Sequence, residues 1–584
     1  MPLLAQRCFP CHGDDRHEAG LRATARATLL AGGESGPAIV PGRSEESLLV
    51  RLASGLEPDR RMPPEGDPLT AEQVAVLREW IDQGAFWPEA PPYALPLRAV
   101  EVPEGDGHPL DRLLARSLAD QGVRLDEVVG DAEFARRTAL DLLGIPPTTG
   151  QLRAFLADES ADKRARWVDR LLEDQENFSA HWMTFWSDLL RIGSEVQSGT
   201  FDSDATSGPK AWLKGHLDRN AALDELARDM LSRDFYAKFT QSVAPPGDII
   251  NAVERPEMQL ATVVSQVFLG IQLKCASCHD SFVDRWKLQD AWGLAVAIGE
   301  EPIEIHRCQN ATGDFAAASF PLRELGAIDA SADVDARRRR VAELLTSREN
   351  GLFARTLANR LWARLFGRGL IEPLDEMMEH EPWNAALLDW LAGELVRNDY
   401  DLKAFLRLIV ASRTYQLPPV IRQEPIAAPS YVFRGPELRW LSAEQFVDSL
   451  QALGEPLPED GTPLRLSGRS WEQKGSRLMT MLGRPTRDVV VSARIEEPSP
   501  LWALELINGG ELQELVQQAA SAQFRPSETP EALAERICLA LLCRVPTAQE
   551  RQVAADLLGP EPSESALGDL IWSWAMQPEF QLVP

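Results

Sequence analysis

Two stretches of this chain share one pattern: Cys8-Phe9-Pro10-Cys11-His12 and Cys275-Ala276-Ser277-Cys278-His279. Two thiols three residues apart stand on one helical turn. They can reach the two vinyl groups of a single porphyrin and form thioethers, while the histidine that follows offers a ring nitrogen to the iron. C-x-x-C-H is the attachment pattern of c-type haem, and finding it twice among only 7 Cys and 8 His is a strong signal. Zinc could be held by the four thiols of the two pairs, but the pairs lie far apart and zinc needs no His after each. A thioredoxin-like dithiol also reads C-x-x-C, yet it belongs in a βαβ setting that this sequence does not present. The expectation is therefore two covalent haem c groups. One is tethered by Cys8 and Cys11 with His12 proximal, the other by Cys275 and Cys278 with His279 proximal.

Each haem has a second axial position. For the first, Met62 stands in Arg61-Met62-Pro63-Pro64, about fifty residues after His12. Proline fixes the backbone, so the thioether is presented with little entropy to lose. A Met ligand also raises the reduction potential relative to bis-His. No Met-Pro follows the second motif. His306, in Glu304-Ile305-His306-Arg307-Cys308, is the nearest downstream ligand type, with Met258, Met183, His181, Cys308 or an open position as alternatives.

The elements that must position these residues read as helices. Met1 to Arg7 looks like the end of a helix leading into Cys8. Ser44 could cap a short helix through Leu48, Leu49 and Leu52. Thr70-x-x-Gln73 is a capping box ahead of Val74, Leu77 and Ile81, with Gly84 as the stop. Pro88 to Pro96 reads as a linker. Helices are expected over 134–143, 164–172 and 181–190, and a loop over 195–208. From Met258 the apolar stripe Leu260, Val263, Val264, Val267, Phe268, Ile271 is expected to continue as helix into Cys275 and Cys278. Arg337 to Arg340 reads as the solvated face of a helix. Further helices are expected over 353–366, 385–396, 402–411, 442–453, 501–512 (broken at Gly509-Gly510) and 532–542. Cys538 and Cys543 read as separate buried thiols, and His380 as part of a solvated acidic loop. The fold class is mainly α, a class I cytochrome c-like N-terminal domain followed by larger all-helical domains. The segments are 1–92, a cytochrome c-like haem domain; 93–332, a helical domain with the second site; and 333–584, a C-terminal helical domain.

The chain has 584 residues and a net charge of −28, from 60 basic and 88 acidic side chains. That balance argues against nucleic acid or an anionic membrane surface as main partner. No apolar run approaches the roughly 18 residues of a membrane-spanning helix. Haem is joined to C-x-x-C-H outside the cytoplasm, so an export signal is expected ahead of Cys8, where only seven residues stand. Phosphate loops, G-x-S-x-G and H-E-x-x-H are absent.

With these strings in view, the chain resembles the planctomycete-type multidomain cytochrome c family, which joins a cytochrome c-like domain to two helical domains of poorly known function. The resemblance rests on Leu4-Ala5-Gln6-Arg7-Cys8-Phe9-Pro10-Cys11-His12-Gly13, Arg61-Met62-Pro63-Pro64 and Trp80-Ile81-Asp82-Gln83-Gly84-Ala85. It continues through Val267-Phe268-Leu269-Gly270-Ile271-Gln272-Leu273, Asp284-Arg285-Trp286 and Asn359-Arg360-Leu361-Trp362-Ala363-Arg364-Leu365-Phe366-Gly367-Arg368-Gly369-Leu370. It implies an exported, periplasmic or otherwise extracytoplasmic protein, haem ligation by His12 and Met62, and a co-encoded sulfatase-like partner. Many relatives carry a second His two positions after the second motif, where this chain has Ser281. A role that this His plays in them has no counterpart here, which adds weight to His306.

The function expected is that of a dihaem electron-transfer protein with a redox partner protein. Two alternatives stand beside it: a dihaem oxidoreductase or peroxidase with an open second haem, and a scaffold that delivers electrons to a partner enzyme.

Overall fold

The structure is a computed structural model. It describes residues 2–584 except 14–17, 24–25, 58–59, 65–66, 86–95, 120–122, 124–126, 194–203, 244–251, 282–283, 308–309, 423–429, 459, 474 and 495–497. The chain is mainly helical and divides into two compact units: residues 1–92 with 280–285, and residues 93–279 with 286–584. Nearly all of the expected linker lies outside the described residues. No helix is long and apolar enough to cross a membrane, among the described residues.

In the first unit the capping box forms as its residue types dictate. Thr70 Oγ1 accepts from Gln73 N at 3.3 Å, and Gln73 Oε1 accepts from Thr70 N at 3.0 Å. The helix Ala71–Asp82 then buries Val74, Leu77 and Ile81 on one face. Its end is tied down twice. Arg26 donates to the carbonyls of Ala85 and Gly84 at 3.0 and 3.3 Å, and Ser44 donates from its amide and its hydroxyl to Asp82, both at 2.8 Å. Ser44 is thus a clamp on Asp82 and not a helix cap; the short helix starts later and spans Leu48–Ala53. Among the described residues, eleven apolar side chains form the buried cluster of this unit, with Cys8, Phe9 and Trp80 packed against it. A core this small leaves a domain of its length marginal by itself.

In the second unit, one buried cluster takes in Leu260, Val264 and Phe268 together with Phe353, Leu357 and Leu361. Side chains on both sides of residue 332 therefore share one core. A second cluster gathers helices from Ala443–Gly454 onward. Two short antiparallel ribbons complete the unit: Glu304–Arg307 with Asn310–Phe315, and Arg439–Trp440 with Leu582–Val583. Part of the loop expected over 195–208 lies outside the described residues, and a helix begins at Asp204. Cys538 and Cys543 are free and buried, and burial pushes their thiols up to about 12 and about 11.

The string Asn359 to Gly369 explains much of how the second motif is held. It forms the last half of the helix Gly351–Phe366 and the turn after it. Asn359 is fully buried and uses both ends of its amide on that turn: Nδ2 donates to Ile371 O, and Oδ1 accepts from the amides of Leu370 and Ile371. Arg360 donates to the carbonyls of Val267 and Gln266 at 2.9 and 2.6 Å. These are C-terminal carbonyls of the helix Pro256–Leu269, and a cation there satisfies orphan acceptors and complements the helix dipole. Trp362 stacks on Phe366 with ring centroids 3.8 Å apart.

That helix does not continue into Cys275. Gly270 takes φ +62° and closes it, with Gly270 N on Gln266 O and Ile271 N on Ser265 O, both 3.1 Å. A Cβ at Gly270 would fall 2.2 Å from Met377 Cγ, so glycine is required for its backbone angle and for its smallness. The apolar periodicity runs past this stop because Ile271 and Leu273 are buried for their own packing.

Arg337 to Arg340 is not a solvated face throughout. Arg338 is 2 % exposed; it donates to Ile298 O at 2.7 Å and lies over the Tyr236 ring at 3.9 Å. Arg337 donates to Gly299 O at 2.9 Å. The two arginines close the C-terminus of the helix Leu288–Ile298.

Candidate haem sites

At the first site, backbone bonds wind the pentapeptide into one turn. Cys8 N donates to Leu4 O at 2.8 Å, and Cys11 N and His12 N donate to Cys8 O at 3.2 and 2.9 Å. Cys8 joins the helices Pro2–Arg7 and Phe9–His12, so both thiols and the imidazole leave one turn of chain. The Met62 loop is tied to the same unit. Met62 N donates to Leu52 O at 3.1 Å, and Arg7, beside Cys8, donates to Asp67 O just beyond the loop.

The side chains suit haem. Cys8 and Cys11 are free, half-buried thiols. Burial pushes the Cys8 thiol up to about 11, against the neighbouring Arg7 charge that would lower it. A thiol held neutral is a poor zinc or redox thiolate, whereas addition to a vinyl group ends in an uncharged thioether. His12 is half-buried, and its Nδ1 is sealed from solvent with no hydrogen-bond partner among the described residues. An unpaired buried ring nitrogen costs about 1–3 kcal/mol, which a group bound against this imidazole would offset. Met62 is half-buried and lies outside the core cluster, so its sulfur is not committed to packing.

The second motif has a different setting. Cys275–Ser277 is a single 3₁₀ turn, with Cys278 N and His279 N donating to Cys275 O at 3.2 and 3.3 Å. Cys275 is exposed, and Cys278 is half-buried. The turn is anchored by its middle: Ala276 and Ser277 are buried, Ser277 Oγ donates to Lys274 O at 2.7 Å, and Trp292 Nε1 donates to Ser277 O at 3.1 Å. Trp292, fully buried on the helix Leu288–Ile298, also stacks on His306, with centroids 6.1 Å apart and planes 19° from parallel. One indole thus ties the motif to the His306 strand. Ser281 Oγ accepts from Asp284 N at 3.3 Å.

The alternatives for the sixth ligand lie elsewhere. Met258 is in the first turn of Pro256–Leu269, roughly 17 Å along the axis from the end that leads to the motif, at about 1.5 Å per residue. Met183 and His181 are buried on Gln175–Leu190, and the His181 ring touches Gly144 and Arg364. Cys308 lies outside the described residues. His380 is exposed and pairs with Glu376 at 2.8 Å. Among the described residues, no group of three or more His, Cys, Asp or Glu is placed to hold a metal ion.

The roles of Trp292 and Arg338 were not read from the sequence. Each has an ordinary local signal, a Trp in an apolar segment and an Arg in a basic run, and nothing local names its partner.

Three families match, in order along the chain. Residues 8–66 match the family described as planctomycete cytochrome C. Residues 109–300, which include the second motif, match one described as a protein of unknown function, DUF1549. Residues 337–475 match another so described, DUF1553. The chain belongs to the planctomycete multidomain cytochrome c family. Its N-terminal unit is a cytochrome c domain, which implies covalently bound haem c. No curated protein and no solved structure matches this cytochrome.

Proposed function

We propose that this cytochrome is an extracytoplasmic dihaem electron carrier. The observation that carries the reading is the turn Cys8–His12, which presents two free, half-buried thiols and a half-buried imidazole with a sealed Nδ1 in the unit that holds the Met62 loop. Cys8 and Cys11 would tether the first haem, with His12 and Met62 on its two faces. Cys275 and Cys278 would tether the second, with His279 proximal and His306 opposite. Trp292 supports that pairing, because it fixes both the motif and the ring of His306. Bound haem supplies a one-electron ferric/ferrous couple whose potential its axial ligands set. The chain's own residues shield it, hold its ligands and need move no proton. The division at 92 and 332 is kept as a proposal about sequence modules.

The electron passes to or from a partner protein. The family resemblance makes a co-encoded sulfatase-like protein the first to try.

A spectroelectrochemical titration of protein matured in an export host tests this. Two separable one-electron waves are expected, the higher one belonging to the Met62 haem, with both haems low-spin. A high-spin ferric spectrum that changes on adding peroxide would replace the carrier reading with the peroxidase one.

A further inference from the structure

A cavity of about 160 Å³ lies within the second unit, between the helices Gln175–Leu190, Gly351–Phe366 and the start of Ala443–Gly454. Neither C-x-x-C-H contributes to its wall. In a chain of net charge −28 the wall is unexpectedly cationic: Arg360, Arg364, Arg439 and Arg494 all face it.

Three of these guanidiniums have carboxylate partners. Arg360 pairs with Asp375 at 2.6 Å, and Arg439 spans both oxygens of Asp141 at 2.9 and 3.0 Å. Arg494 reaches Asp188 at 2.7 Å and Glu444 at 2.6 Å. Arg364 has no carboxylate among the described residues. Its Nε is sealed from solvent without a hydrogen-bond partner, and one terminal nitrogen lies 3.5 Å from His181 Nε2. Burial first, then the Arg364 and Arg469 charges, hold His181 well below its usual range, so this neighbour is neutral and offers no counter-charge. Burial, reinforced by the Arg439 and Arg494 charges and opposed by the more distant Asp141 and Asp188, brings Arg364 itself down to about 10, which leaves it charged at pH 7.

Two carboxylates also stand on the wall. Asp188 is occupied by Arg487 and Arg494, at 2.9 and 2.7 Å. Glu372 is exposed and accepts from Gly369 N at 2.6 Å, and desolvation raises its pKa. Arg364 is half-buried, and Asp141 and Asp188 act on it only from beyond ion-pair distance, so an anion bound against its guanidinium would offset the desolvation that they leave. The guanidinium fork matches the paired oxygens of an oxyanion.

We propose that this cavity is a binding site for the oxyanion group of a small ligand, a phosphate, sulfate or carboxylate, held by Arg364 beside Arg439 and Arg494. The proposal stands apart from the haem reading and uses none of its residues. It also gives the string Asn359 to Gly369 a second role, since Arg360 closes the helix before the second motif while Arg364, one turn on, faces the ligand.

Isothermal titration calorimetry on the full-length, haem-loaded protein at low ionic strength tests it, with sodium phosphate, sodium sulfate and disodium succinate as probes. Saturable one-to-one binding of at least one probe is expected, weakened at least tenfold by Arg364→Gln and unchanged by Arg43→Gln on the surface of the other unit. Preference for phosphate or sulfate would assign a tetrahedral group, and preference for succinate a carboxylate. Without anion, Arg364→Gln should melt no lower than wild type, because it removes an unpaired charge. Arg364→Lys keeps the charge but loses the fork, and should also bind at least tenfold more weakly. Absence of saturable binding for all three probes, wild-type affinity in both Arg364 variants, or a lower melting temperature in Arg364→Gln would overturn the proposal.

Discussion

The two C-x-x-C-H motifs are alike in sequence and unlike in setting. Cys8 to His12 is wound into helix, packed on a small apolar core, with a half-buried thiol whose pKa burial raises and a sealed ring nitrogen. Cys275 to His279 follows a helix stopped at Gly270, occupies one 3₁₀ turn, and leaves Cys275 exposed. The spacing of five residues decides which atoms can meet. Whether they are sheltered is decided by tertiary neighbours: the small apolar core in one case, Trp292 in the other.

Substitutions at four positions probe that contrast, from the largest effect to the smallest. Met62→His should lower the potential of the first haem by on the order of 0.1 V, given the range over which axial ligands act, and leave the second unmoved in the same titration. Trp292→Ala removes a fully buried indole and should cost the second unit about 3–5 kcal/mol in denaturant unfolding. It should also change the spectrum of the second haem only; Trp292→Phe, which keeps most of the packing, separates the lost bond to Ser277.

Glu444 contributes to the pH dependence of the second unit. Burial alone would raise its pKa; Arg494, with Arg484 and Arg487, outweighs that and holds it well below the ordinary value of 4.5. Its folded pKa is depressed, so its stabilisation is complete above about pH 4.5 and is lost as pH falls further. The melting temperature of the second unit should begin to fall below about pH 6.5, where buried His181 resists protonation, and fall more steeply below about pH 4.5, where the Glu444 contribution is lost. Glu444→Gln should lower it already at pH 7, by the equivalent of about 3–5 kcal/mol. Thr70→Ala removes one half of a capping box and should cost the first unit only about 1 kcal/mol, read from its denaturation midpoint.

What was legible in the sequence was local. The Thr70–Gln73 box, the helix over 353–366 and the break at Gly509 each depend on residues within a few turns, and each forms. The stop at Gly270 also carried a local sign, a glycine after an apolar helix. The stripe hid it, because Ile271 and Leu273 are buried in their own right. Arg338 and Trp292 were illegible for another reason. Their partners, Ile298 O, Ser277 O and His306, lie 14 to 40 residues away in sequence, and only the packed fold joins them. The same holds for Arg364, which has no carboxylate within ion-pair distance among the described residues, a property of everything packed around it.

The most direct test of the central claim is the pyridine haemochrome content per chain, in wild type, Cys8→Ala and Cys275→Ala matured through an export pathway. The account predicts about two covalent haems in wild type and about one in each variant. A single haem, lost in Cys8→Ala and kept in Cys275→Ala, would contradict the second site; no covalent haem would contradict the account as a whole.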